Sequence, residues 1–130
     1  MNILVVDDDD GVRQFLTMLL SKEKYEVDEA REPYGALGKL KEKSYDLVIT
    51  YIRMPNMSGM ELVTAMKSAH PLVNIIIITG YSTMSYLVEC ISKGAVDYFT
   101  KPLEDIPEFL HAIRETERRV NRWKRSIALR

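Results

Sequence analysis

The chain has 130 residues, 46% of them apolar, with 18 Lys and Arg against 19 Asp and Glu and a single cysteine. That length suits one domain with one core, a lone thiol excludes an internal disulfide scaffold, and apolar runs as short as Ile75 to Ile78 fall well below the roughly 20 residues of a membrane span. With no basic leader and cleavage site at the N-terminus, the expectation is a soluble cytoplasmic protein. The near-neutral total conceals a split: residues 1–105 carry 11 basic and 16 acidic side chains, residues 106–130 carry 7 and 3. Asp7 to Asp10 are consecutive acids, whereas Arg118, Arg119, Arg122, Lys124, Arg125 and Arg130 crowd the tail.

Ile3-Leu4-Val5-Val6 is a β-branched apolar run that stops at four aspartates, which predicts a buried strand ending at a polar rim. Val12, Phe15, Leu16, Leu19 and Leu20 then follow helical spacing, with Asp9 placed to cap the helix. A weak strand around Val27 to Ala30 leads to a helix from Pro33 carrying Leu37 and Leu40. Leu47-Val48-Ile49 is the third strand. After the loop Met54-Pro55-Asn56-Met57-Ser58-Gly59, Leu62, Val63 and Met66 stripe a third helix that stops before His70-Pro71. Asn74 to Thr79 reads as a strand buried on both faces, and Leu87, Val88 and Ile91 mark a fourth helix closed by Gly94. Val96 to Phe99 is the fifth strand, and a long final helix starts near Glu104.

Strict β-α alternation with continuous apolar central strands predicts a doubly wound, five-stranded parallel sheet, an α/β fold of flavodoxin-like order 2-1-3-4-5. Ligand chemistry then belongs at the carboxyl ends of strands one, three, four and five. The side chains expected there are Asp7, Asp8, Tyr51, Thr79 with Gly80, and Lys101. Adjacent carboxylates, a hydroxyl and an ammonium suit a hard divalent cation beside a phosphoryl group. A lone Asp at a strand end would be read as a helix cap.

Val5-Val6-Asp7-Asp8, Ile52-Arg53-Met54-Pro55-Asn56-Met57-Ser58-Gly59, the strand ending Thr79-Gly80, and Tyr98-Phe99-Thr100-Lys101-Pro102 together resemble the receiver domain of bacterial two-component response regulators. The likeness runs from about residue 2 to 115. It implies phosphorelay signalling without enzymatic activity of its own. Asp7 and Asp8 would hold Mg²⁺ together with the Arg53 backbone carbonyl, Thr79 would be the switch hydroxyl, Tyr98 the aromatic that moves with it, and Lys101 the partner of the phosphoryl oxygens. Gly80 would leave room for entry, and Lys101-Pro102 would be a cis bond. A histidine kinase or another signalling protein is the implied partner.

The resemblance fails at its centre. Tyr51 stands where the family carries the phospho-accepting Asp, and Asp46 lies at the opposite end of that strand. A neutral phenol of pKa about 10 is a poor acceptor at pH 7 and removes a metal ligand, so Mg²⁺ binding is expected to be weak or absent. Three readings of Tyr51 remain: a plug, a phosphate-free setting of the switch through a hydroxyl meeting Asp8 or Lys101, or an acceptor elsewhere, the phenol included.

Residues 1–115 form the expected receiver and 116–130 a helical extension or linker toward a possible output domain. In the final helix Ile106, Ile113, Val120 and Ile127 recur every seven residues, with Phe109, Thr116 and Trp123 between them, so a homodimer through the final helices is a second use of the stripe. The basic tail comes without a DNA-binding motif, and a nucleic-acid role is not read from it. His70 and His111 lack metal-ligand company, and Cys90 is expected to pack rather than react. The enzymatic alternative is a haloacid-dehalogenase-like phosphatase using Asp8 as nucleophile and Asp10 as acid/base, because Asp8-Asp9-Asp10-Gly11 resembles that family's opening. A flavin-binding domain of the same topology is disfavoured, since four aspartates would repel its phosphate.

Overall fold

The computed structural model describes residues 1–54, 57–80 and 84–128. Its elements are β1 (Asn2–Val6), α1 (Asp10–Lys22), β2 (Glu26–Ala30), α2 (Pro33–Glu42), β3 (Leu47–Tyr51), the short β4 (Arg53–Met54) and β5 (Met57–Ser58), α3 (Gly59–Ala69), β6 (Asn74–Thr79), α4 (Met84–Ser92), β7 (Asp97–Thr100) and α5 (Ile106–Ala128). The main sheet has the order β2-β1-β3-β6-β7 with every pairing parallel, while β4 and β5 form a separate antiparallel ladder. Setting that ladder aside, this is the expected 2-1-3-4-5 arrangement. Pro55 and Asn56 of the expected loop lie outside the described residues.

Alternation along the strands builds two cores. Ile3, Val5, Ile49, Ile76 and Ile78 face α1 and α5, where Leu16, Leu20, Phe109 and Ile113 meet them. Leu4, Val6, Val48, Ile75 and Ile77 face the other way onto Leu40, Leu62, Val63, Met66 and Cys90. Covering both faces explains why β6 is buried at all six positions. The edge strand β2 buries only Ala30.

The local signals act as expected in most places. Asp9 Oδ1 accepts from the Val12 N–H at 3.1 Å and caps α1, and Glu32 accepts from the Tyr34 and Gly35 N–H groups to cap α2 ahead of Pro33. Gly94 closes the turn after α4 at φ +115°, where an added Cβ would press on the Lys67 side-chain stem at 3.1 Å. Two boundaries shift. The last helix begins at Ile106 rather than near Glu104, because Asp105 Oδ1 accepts from the Glu108 N–H at 3.0 Å and sets the cap there. The ladder of β7 starts at Asp97, one residue after Val96, whose N–H donates to the Ile75 carbonyl at 2.8 Å.

Two helix faces differ from expectation. On α1 the buried positions are Arg13, Leu16 and Leu20, while Phe15 stands 40% exposed. On α4 only Cys90 is fully buried; Val88 and Ile91, which mark the helix in the sequence, are exposed together with Met84. Apolar residues occur on more than one side of each helix, and spacing alone does not select the side that meets the sheet.

α5 is continuous from Ile106 to Ala128 and remains attached to the body beyond the sheet. Val120 is buried and Trp123 half-buried, Arg119 donates to Asn74 Oδ1 at 3.1 Å, and Lys124 pairs with Asp46 at 3.2 Å. The seven-residue stripe therefore faces the chain's own body through Val120, and Ile127 is its exposed member. The Tyr25 hydroxyl adds a bond to Glu117 at 3.0 Å. Burial first, and that carboxylate second, push the Tyr25 phenol up to about 12 from an ordinary 10.0. A raised phenol stabilises the fold fully below its unfolded pKa and loses that contribution as pH rises through the folded one. Denaturant titrations between pH 10 and 12 should show stability falling with pH, and Tyr25→Phe should lessen that slope, the remainder coming from Tyr45, whose phenol is also pushed up by burial and by Asp28.

Candidate functional site

The carboxyl ends of β1, β3, β6 and β7 share one rim because all four strands run parallel. Beyond β1, the Asp7 N–H still donates to the Ala30 carbonyl at 3.2 Å, and the Asp7 side chain turns inward to near-complete burial. One of its oxygens, Oδ1, accepts from the Asp9 N–H at 2.9 Å and bends the chain into α1. The other, Oδ2, accepts from Lys101 Nζ at 2.8 Å. Asp8 points to solvent.

Lys101 arrives from the end of β7, where its N–H donates to the Thr79 carbonyl at 2.8 Å, and the following peptide bond to Pro102 is cis. Its ammonium sits 3.7 Å from the centre of the Tyr51 ring. Tyr51 ends β3 opposite Ile78, half-buried against the core that contains Leu4 and Val6. The expectation that its hydroxyl would meet Asp8 or Lys101 is not what the geometry gives: the ring face meets Lys101, and a Cβ added at Gly80 would stand 3.7 Å from the hydroxyl. A flat ring can satisfy an ammonium with its π-face while its polar end reaches elsewhere. Thr79 is fully buried at the end of β6, and Tyr98 is half-buried on β7 opposite Ile77. Arg53 opens β4, two residues past Tyr51.

Arg13 belongs to the site although no motif announced it. Nearly buried, it donates to the Asp7 carbonyl at 2.8 Å, to Asp10 at 2.5 Å and to Glu29 at 2.9 Å. One fork of donors thereby anchors the start of α1 and offsets the neighbouring acids. The Arg13 hydrogen bond and charge, with Arg31 adding at 3.9 Å, hold the Asp10 carboxyl below its ordinary range. The available signal was spacing: Arg13, Leu16 and Leu20 share a helical face. Asp10, the acid/base of the phosphatase alternative, is thus ion-paired within its own helix.

A magnesium ion fits these residues poorly. Both oxygens of Asp7 are engaged within the chain, the Tyr51 ring lies against Lys101, and an ammonium already stands beside Asp7. Among the described residues no three His, Cys, Asp or Glu side chains gather into a group that could hold a metal. Among them, too, no helix is long and apolar enough to cross a membrane.

The family model for the response regulator receiver domain matches residues 3–114. The transcriptional regulatory protein ZraR of Klebsiella oxytoca is 40% identical over 104 residues, which are 80% of this chain and 24% of that protein, so the chain spans about a quarter of that relative's length. Sporulation initiation phosphotransferase F of Bacillus subtilis is 33% identical over 113 residues, 87% of this chain and 90% of its own. Among solved structures, the response regulator TrrA of Thermotoga maritima in complex with Mg²⁺ and BeF is 32% identical with a TM-score of 0.79, covering 88% of this chain and 97% of that one. The chain belongs to the response regulator receiver domain family. Receivers of two-component systems are signalling modules, and the sheet order is that of their fold.

Proposed function

We propose that this receiver signals without accepting phosphate at the usual position, as a locked or phosphorylation-independent switch and interaction module of a two-component pathway. The observation that carries this reading is that Tyr51 ends β3 with its ring under the Lys101 ammonium; a phenol there offers no carboxylate to accept phosphate. Asp7 and Asp8, the Arg53 carbonyl, Thr79, Gly80, Tyr98 and Lys101 take the family roles around it, with Mg²⁺ binding weak or absent. The module is not an enzyme, and it works in the cytoplasm. Its partners are a histidine kinase or another signalling protein and a downstream output domain, to which residues 116–130 lead. A homodimer through the final helices would engage their outer surface and Ile127, since Val120 is buried in its own protomer.

The test is incubation with acetyl phosphate, or with a cognate kinase, in the presence of Mg²⁺. The expected result is no stable label. An acyl phosphate on any aspartate would overturn the reading.

A further inference from the structure

The second half of α5 is tied to the body by a polar network at the amino-terminal ends of the strands, opposite the carboxyl-end rim. Asp46, just before β3, and Asn74, which opens β6, are joined there. The Asp46 carbonyl accepts from the Asn74 N–H at 3.1 Å and from Asn74 Nδ2 at 3.0 Å. Each of the two then reaches α5. Asn74, 2% exposed, accepts from Arg119 through Oδ1 at 3.1 Å. The Asp46 carboxylate, which also accepts from the Asn2 N–H at 2.9 Å, pairs with Lys124 at 3.2 Å. The Arg119 guanidinium lies 5.8 Å from the centre of the Trp123 ring.

Apolar packing under this stretch is incomplete. Trp123 alone among residues 121–128 is not exposed, and a cleft of about 380 Å³ opens between Val120, Trp123 and Ile127 on α5 and Tyr45, Leu72 and Val73 on the body. A helix end seated over unfilled space gains little from burial and depends on its polar ties, which are individually weak where water reaches them. The first half of the helix is the opposite case, since Phe109 and Ile113 are fully buried against the sheet. Segments with few buried contacts can open while the rest of a domain stays folded. We propose that residues 119–128 form a releasable strap, closed by the clasp of Asn74 and Asp46 on Arg119 and Lys124 and opening without unfolding of the receiver body. A segment joined after α5 takes its direction from the closed clasp and is uncoupled when the clasp opens. The inference goes beyond the proposed function and holds whether or not the carboxyl-end rim accepts phosphate.

Trp123 is the chain's one tryptophan, so its fluorescence reports on the strap. In the unmodified chain its emission should lie to the blue of free tryptophan. Arg119→Ala combined with Lys124→Ala removes both ties, and because alanine is the stronger helix former, any loosening comes from the lost clasp. This double variant should shift Trp123 emission to the red, raise its quenching by acrylamide about twofold, and speed amide hydrogen exchange of residues 121–126 about tenfold or more, with β1, β3 and β6 exchanging as before. Lys124→Glu, which sets a carboxylate against Asp46, should loosen the strap more than Lys124→Ala does. Unchanged emission and exchange in the double variant would overturn the proposal. So would exchange accelerated equally through the sheet, which would make the end of α5 part of one cooperative unit with the body. Should the double variant fail to fold, Lys124→Glu decides by the same two readouts.

Discussion

Tyr51→Asp is expected to turn a chain that takes no label into one that forms an acyl phosphate with acetyl phosphate and Mg²⁺. The difference is chemical before it is structural. An aspartate offers an anionic carboxylate as the attacking nucleophile, where a tyrosine offers a phenol hydroxyl that must first lose its proton. The substitution also acts on Lys101, because the introduced carboxylate competes with Asp7 for the ammonium and offers an additional oxygen ligand to Mg²⁺. Loss of a half-buried ring from the core around Leu4 and Val6 should cost about 1–3 kcal/mol of stability, so the variant should remain folded but melt earlier. Labelling is read by acid-stable gel separation of the phosphorylated form and by its sensitivity to hydroxylamine. A folded Tyr51→Asp that binds Mg²⁺ and still takes no label would mean that a carboxylate at position 51 is not what labelling depends on.

Phe109→Ala should lower the free energy of unfolding by about 3–5 kcal/mol, which corresponds to a drop in Tm of roughly 10–20 °C for a domain of this size. Phe109 is fully buried, meets Phe99 edge-to-face at 5.3 Å and 81°, and packs in the same core as Ile76, Ile78 and Ile113. Truncation removes the ring and leaves a cavity under α5 that rigid strands cannot collapse to fill. Ile127→Ser, on the same stripe but 62% exposed, should change stability by less than about 0.5 kcal/mol. Urea unfolding of the two variants measures both. Comparable effects at Phe109 and Ile127 would contradict the arrangement of α5, in which the stripe is anchored on the sheet and released only at its last turn.

Much of the fold was legible because its signals are local. The isoleucine run of β6, the change from continuous apolar residues to helical spacing after β1, Pro33 at a helix start and Gly94 at a helix end each act within a few residues of themselves. Boundaries were less legible where a cap decides them, as Asp105 does for α5. The inner faces of α1 and α4 were not legible at Phe15, Val88 and Ile91, because each helix carries apolar residues on more than one side and only the sheet selects among them.

The order of elements, the acid rim after β1, and the presence of Tyr51, Thr79 and Lys101 at neighbouring strand ends were determined by the sequence alone, through periodicity and the right-handed crossovers of parallel sheets. The tertiary structure decided how those residues meet. Lys101 is 50 positions from Tyr51 and 94 from Asp7, and whether its ammonium would face a hydroxyl, a ring or a carboxylate depends on rotamers set by packing across the rim. Arg13 is the same case in miniature: its spacing put it on a buried face, but only the fold brought Asp7, Asp10 and Glu29 within reach of one guanidinium. Such contacts join residues far apart in the chain, and no local pattern encodes their geometry.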